Sequence, residues 1–237
     1  MKVIGLLGGM SWESSLEYYR IINRIVREKL GGLHSAECIL DSVDFQGIEK
    51  LQHAGDWEEL ERIMIIHARR LEQAGADVLL VCSNTMHLLA DRIQEKLGIP
   101  LLHIADATAV EIKADGIVRV GLLGTKFTMN EPFYRGRLEE KFGLEVLVPG
   151  EDEQESVHGI IYNELCLGRI EDSSREFFKT VIEGLVRRGA EGIVLGCTEI
   201  PLLVRREDSP VPLFDTTNIH AKAAVEFATA RAQTRGA

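Results

Sequence analysis

Lys2-Val3-Ile4-Gly5-Leu6-Leu7-Gly8 opens this chain, and Arg119-Val120-Gly121-Leu122-Leu123-Gly124 repeats it half a chain later, Gly5 matching Gly121 and Gly8 matching Gly124. Two further pairs follow in the same order. Gly75-Ala76-Asp77-Val78-Leu79-Leu80-Val81-Cys82-Ser83 mirrors Gly189-Ala190-Glu191-Gly192-Ile193-Val194-Leu195-Gly196-Cys197, and Ile99-Pro100-Leu101-Leu102 mirrors Val211-Pro212-Leu213-Phe214. Three ordered matches imply two half-chains with one fold. Counted from the shared glycine, Cys197 corresponds to Ser83 and not to Cys82. Strand side chains alternate faces, so that one-residue distinction decides which group meets a ligand.

Outward from these runs, short apolar stretches alternate with longer amphipathic ones, the pattern of a parallel α/β sheet. Strands are expected at 3–7, 38–43, 78–81, 101–103, 118–123, 145–148, 192–195 and 213–214. Helices are expected at 14–30, 56–74, 173–188 and 218–230, with another closing at 139–142. The acidic stretch 150–155 and the stretch 205–210 read as surface loops. The expected architecture is two similar flavodoxin-like α/β lobes facing each other across a cleft. Residues 1–100 with 211–237 would form the first lobe, and 101–210 the second. Ligands of such sheets bind beyond the carboxyl ends of the strands. Gly5–Gly9, Ser83–Thr85, Gly124–Thr125 and Cys197–Glu199 all fall at that edge.

Composition narrows the function classes. The chain has 237 residues, 45% of them hydrophobic and 27% charged, as in ordinary globular proteins. A net charge of −10 argues against a nucleic-acid partner, which would want a basic stripe. No apolar run is long enough to span a membrane, and the N-terminus lacks the form of a secretory signal. Four cysteines without a CxxC pair suggest a reducing cytoplasm. Seven scattered histidines make no metal-ligand pattern.

Several residues are suited to chemistry. Cys197 follows a buried-type strand, and Gly196 before it lets a ligand approach closely. A thiol at a helix start is expected to have its pKa lowered towards neutrality, which suits a proton-transfer base. Ser83-Asn84-Thr85 follows the equivalent strand of the first half; all three residue types favour helix N-caps. Cys82 is the alternative reactive group there, although its place in the strand favours inward packing. Cys38 and Cys166 read as core. Gly8-Gly9-Met10-Ser11 is a tight glycine-rich turn rather than a dinucleotide or Walker loop, and it would bring Met10 and Ser11 beside a substrate. Thr125 takes the corresponding place in the second half. His87 and His103 read as packing or supporting groups.

Gly8-Gly9-Met10-Ser11-Trp12, Asn84-Thr85-Met86-His87, Leu122-Leu123-Gly124-Thr125, Glu164-Leu165 before Gly168, and Gly196-Cys197-Thr198-Glu199 together resemble the aspartate/glutamate racemase family over nearly the whole chain. The resemblance implies an isomerase that makes D-amino acids with neither pyridoxal phosphate nor metal. One residue removes the α-proton and a second delivers a proton to the opposite face. It assigns those roles to positions 83 and 197, and the amino and carboxylate contacts to Asn84, Thr85, Thr198 and Glu199. Gln52 resembles a further substrate contact. A homodimer is also implied. The sequence departs from the family at Ser83, where cysteine is usual before Asn-Thr. A hydroxyl is a far poorer base than a thiol, so an enzyme with unequal rates in its two directions is expected. No arginine lies near 43–46, where acidic specialists place a cation, which leaves neutral, hydroxylated or broad substrates open. Other readings are a related isomerase, hydantoin racemase or decarboxylase acting on another small acid, a non-catalytic amino-acid sensor, and, less compatible with the glycine loop, a nucleotide-binding protein.

Overall fold

The computed structural model describes residues 1–230. The first half runs β1 (Ile4–Gly8), α1 (Trp12–Leu30), β2 (Cys38–Ser42), α2 (Phe45–Ala54), α3 (Trp57–Gln73) and β3 (Val78–Val81). A 3₁₀ turn at Thr85–Leu89 and α4 (Ala90–Gln94) lead to α5 (Ile104–Ala114). The second half runs β4 (Arg119–Gly124), α6 (Lys126–Asn130), β5 (Glu145–Leu147), α7 (Glu151–Asn163), α8 (Asp172–Arg187), β6 (Gly192–Gly196), α9 (Ile200–Leu203), β7 (Leu213–Asp215) and α10 (Thr216–Thr229). Both sheets are parallel, ordered β2-β1-β3 and β5-β4-β6-β7.

The repeat is visible bond by bond. The Asp77 amide donates to Val3 O and the Glu191 amide to Arg119 O, at 2.8 and 2.9 Å. The Leu79 amide donates to Pro100 O and the Ile193 amide to Pro212 O, both at 2.9 Å. Leu101 pairs in parallel with Leu79 as Leu213 pairs with Ile193. Each sheet thus has the same four positions, the fourth reduced to one bridge in the first half.

The helices that follow those fourth positions change lobes. Ile104, Ala105, Ala109 and Ile112 of α5 pack into the core of the second sheet, and Ala221, Ala224, Val225 and Ala228 of α10 pack against α1 in the first. The boundaries expected at 101 and 211 therefore fall one strand early. Leu101 and Leu213–Asp215 still pair with the sheet before them, and the chain crosses only afterwards. Residues 231–237, assigned with the first lobe, lie outside the described residues.

Strand pleating sorts the first core. Ile4, Leu6, Val78, Leu80 and Cys82 face α1 and α10, whereas Leu7, Leu79 and Val81 face α3. Burying each such aliphatic side chain is worth about 1.5–3 kcal/mol. Residues 150–155, expected as loop, instead open α7, with Glu151, Asp152 and Glu153 in its first turn. Acidic residues there complement the positive end of the helix, so the charge run stabilises a helix rather than marking a solvated loop. Among the described residues no helix is long and apolar enough to cross a membrane, and no group of three or more metal-ligating side chains occurs.

Candidate active site

The ends of β3 and β6 meet at one small inner chamber of about 20 Å³. That is room for about one water molecule, so the cleft is closed. Ser83 and Cys197 both line it, one carried by each sheet. Asn84, Thr85, Thr198 and Glu199 line it beside them, and Met10, Gln52 and Thr125 complete the residues expected there. Ser11 reaches the same group from the β1–α1 turn, where its hydroxyl donates to Glu199 Oε1 at 2.7 Å.

Cys82 does not join them. It is fully buried in the first core, where burial pushes its thiol up. The alternation of the strand turns it towards α1 and α10 and leaves Ser83 to the chamber. Cys166, expected as core, packs against the core of the second half and also lines the chamber, on a 3₁₀ turn at Leu165–Leu167. Phe45, Ile161 and Tyr162 were not singled out from sequence and stand there too. Tyr162 lies on α7, whose acidic first turn masks its helical character in the sequence. Its hydroxyl donates to Gln52 Oε1 at 3.0 Å, and its ring stacks on Phe45 at 6.4 Å. These contacts tie α7 of one half to α2 of the other across the cleft.

Glu199 organises the electrostatics. Its carboxylate accepts from Cys197 Sγ at 3.0 Å, Thr198 Oγ1 at 2.8 Å and Ser11 Oγ. All three donors are neutral. Among the described residues no lysine or arginine lines this chamber. Asn84 Oδ1 has no hydrogen-bond partner although the residue is only 3% exposed, while its amide nitrogen donates to Thr216 Oγ1 at 3.1 Å. A buried acceptor left open beside a buried carboxylate is a site for a cationic donor.

The lowered thiol pKa expected for Cys197 is not what the surroundings produce. Burial pushes this thiol well above its ordinary value, and the charge of Glu199 pushes it further. The helix that follows, α9, has only four residues, and the one backbone hydrogen bond from the Glu199 amide lowers the thiol pKa by less than burial and the carboxylate raise it.

Ser83 is anchored from behind. His87 Nδ1 donates to Ser83 O at 2.7 Å, and His87 Nε2 accepts the Ile104 amide at 3.2 Å. Both ring nitrogens are thereby used by a neutral imidazole, and burial lowers its pKa to about 4. This is the supporting role that the sequence suggested for His87.

The family model for Asp/Glu/hydantoin racemases matches residues 7–224. A crystal structure of a candidate Asp/Glu racemase from Yersinia pestis is 55% identical, with a TM-score of 0.90 over 97% of this chain and 100% of that one. An aspartate racemase homologue from Pyrococcus horikoshii OT3 is 39% identical, with a TM-score of 0.83 over the same shares of the two chains. The broad specificity amino-acid racemase RacX of Bacillus subtilis is 27% identical over 170 residues, covering 72% of this chain and 73% of RacX. A duplicated α/β fold, a cleft where the two repeats meet, and a family match over almost the full length place this chain in the Asp/Glu/hydantoin racemase family.

Proposed function

We propose that this protein is a cofactor-independent amino-acid racemase working by two-base proton transfer between Cys197 and Ser83. The observation that carries this reading is the pairing of one proton-transfer group from each repeat in a chamber whose buried carboxylate has only neutral donors. An α-ammonium is the missing complement of Glu199 and Asn84 Oδ1. The hydroxyls of Thr85 and Thr125, 2.9 Å apart, are available to the substrate carboxylate. Binding of the ammonium neutralises the charge that raises the Cys197 pKa. With that charge offset the thiol gives up its proton to solvent, and the thiolate takes the α-proton. Ser83 relays a proton from water to the opposite face, taking one from the water as it gives its own to the carbanion. Its poorer basicity makes the two directions unequal in rate, while equilibrium stays unbiased. RacX, a broad-specificity relative, supports a substrate range wider than aspartate and glutamate.

The test is α-proton exchange in heavy water followed by NMR, with both enantiomers of a panel of amino acids. Native protein should exchange at least one of them, and Cys197→Ala should lower the rate by roughly 10³-fold. Ser83→Cys should speed the slower direction. Exchange indifferent to Cys197 would overturn the mechanism. Ser83 also favours a second reading, an amino-acid sensor without chemistry. It predicts binding that survives Cys197→Ser and no exchange by the native protein.

A further inference from the structure

Nothing larger than about one water molecule enters the inner chamber unless the two halves part. Phe45 and Tyr162 line both this chamber and an outer one of about 490 Å³, so their stacked rings lie at the boundary. Phe45 belongs to α2 of the first half and Tyr162 to α7 of the second. The same two helices carry another contact across the cleft. His53 of α2 packs its ring against His158 of α7 at 5.6 Å and against Tyr162 at 4.9 Å. Phe127 of α6 meets both imidazoles, at 6.3 and 6.1 Å, and Trp57 at the start of α3 meets Phe127 edge-on at 5.4 Å.

Hydrogen bonding fixes the protonation state that this seam accepts. His158 Nδ1 accepts the Lys126 amide at 3.3 Å, so the ring is neutral with its proton on Nε2. A proton on Nδ1 would break that bond. Lys126 opens α6, and Thr125 before it caps the helix and lines the inner chamber. A charge on His158 therefore acts on the start of α6, beside the chamber, as well as on His53. The charged groups that face His158 are Lys126 on α6, Glu155 on its own helix, and His53 with Glu49 on α2. Lys126 already engages Glu155, and His53 Nδ1 stands 3.0 Å from Glu49 Oε1. A proton on His158 thus adds a cation that has no carboxylate of its own. Burial, and then the charge of His53, lower the His158 pKa, with Glu155 opposing them.

We propose that His53 and His158 form a pH-sensitive clasp on the cleft. With both rings neutral, α2 and α7 close over the inner chamber. As pH falls through the imidazole range, His53 takes a proton beside Glu49 and His158 takes one between His53 and Lys126. The like charges repel, the Lys126 amide loses its acceptor, and the seam opens at Phe45 and Tyr162.

Trp57 reports on the seam. The chain has one other tryptophan, Trp12, which is 64% exposed, and Trp12→Phe leaves Trp57 as the sole indole without touching the core. Acrylamide quenching of Trp57 is followed in that protein from about pH 8 to about pH 5.5. The quenching constant should rise by about twofold or more, with a midpoint below the ordinary imidazole value near 6.5. The buried His87 and His220, at about 4 and about 3, stay neutral over this span. Adding His158→Asn keeps a carbonyl acceptor for the Lys126 amide and removes the titration, so the rise should vanish. Adding His53→Gln frees His158 of its cationic neighbour, so the midpoint should move up and the rise should shrink. Flat quenching with both histidines present, a rise that persists with His158→Asn, or a midpoint unmoved by His53→Gln overturns the clasp. Quenching needs no substrate, so the clasp and the racemase reading fail separately.

Discussion

Cys197 and Glu199 form the pair on which proton transfer depends, and each controls the other's charge. In the closed cleft the thiol donates to the carboxylate at 3.0 Å, and burial followed by the Glu199 charge holds it protonated. Its thiolate fraction therefore grows only as pH rises well beyond the ordinary thiol range. Glu199→Gln removes the second cause and should bring the thiol pKa down. Measured as the rate of iodoacetamide alkylation against pH, with Cys197→Ala subtracted, the variant should react severalfold faster near pH 8. A slower or unchanged rate would mean that Glu199 does not raise the pKa. The choice of Ser83 over Cys82 was legible at this scale, because both repeats count the same number of residues from a shared glycine. The thiol's raised pKa was not legible. It comes first from burial and then from the charge of the neighbouring Glu199, and the short α9 offers too few aligned amides to oppose them.

The turn between β1 and α1 shows how an element is made to fit a site. Gly9 has φ +90°, and a Cβ there would run into the Val43 carbonyl and lie 2.6 Å from its amide nitrogen. That close approach sets the Met10-Ser11 segment against Glu199. Gly9→Ala is expected to cost about 1–3 kcal/mol, through left-handed strain and the backbone clash. Gly47, inside α2, meets nothing within 4 Å, so Gly47→Ala should stabilise by about 0.5–1 kcal/mol. Urea midpoints of the two variants should move in opposite directions. A neutral Gly9→Ala would show that the turn relaxes easily. Most elements were readable from periodicity, α1, α3 and α8 within two residues at either end. Six of the helices, α2, α4, α5, α6, α7 and α9, are not among those expected from the sequence. In α2 the helix begins directly after β2 with Asp44 as its cap, and in α7 the acidic first turn imitates a loop.

Across the whole molecule, buried neutral histidines tie the crossing helices α5 and α10 to the first half. His87 stacks edge-on against His103 at 4.7 Å and His220 at 5.6 Å. His220 Nε2 donates to Leu102 O, and its Nδ1 accepts from the Tyr18 hydroxyl, both at 2.8 Å. Burial depresses the pKa to about 4 for His87 and about 3 for His220. The ordinary value is near 6.5, so the unfolded chain binds these protons first as pH falls. The stability they contribute is complete above about pH 6.5 and is lost as pH drops towards 4, on the order of a few kcal/mol between them. Urea midpoints should thus fall steeply from pH 7 to pH 4.5, and less steeply in a His220→Gln variant. Equal slopes would place the acid sensitivity elsewhere.

The internal repeat, written in glycines, strand runs and their spacing, determined the parallel α/β fold, its duplication and the two positions that face one another. Those are properties of local periodicity and register, which neighbouring residues specify among themselves. Only the tertiary structure decided that α5 and α10 cross to the opposite lobe, that Tyr162 and Cys166 complete the cleft, and that burial keeps the Cys197 thiol protonated. Each depends on packing between segments far apart in the chain, where burial and approach set the chemistry and no local pattern records the partner.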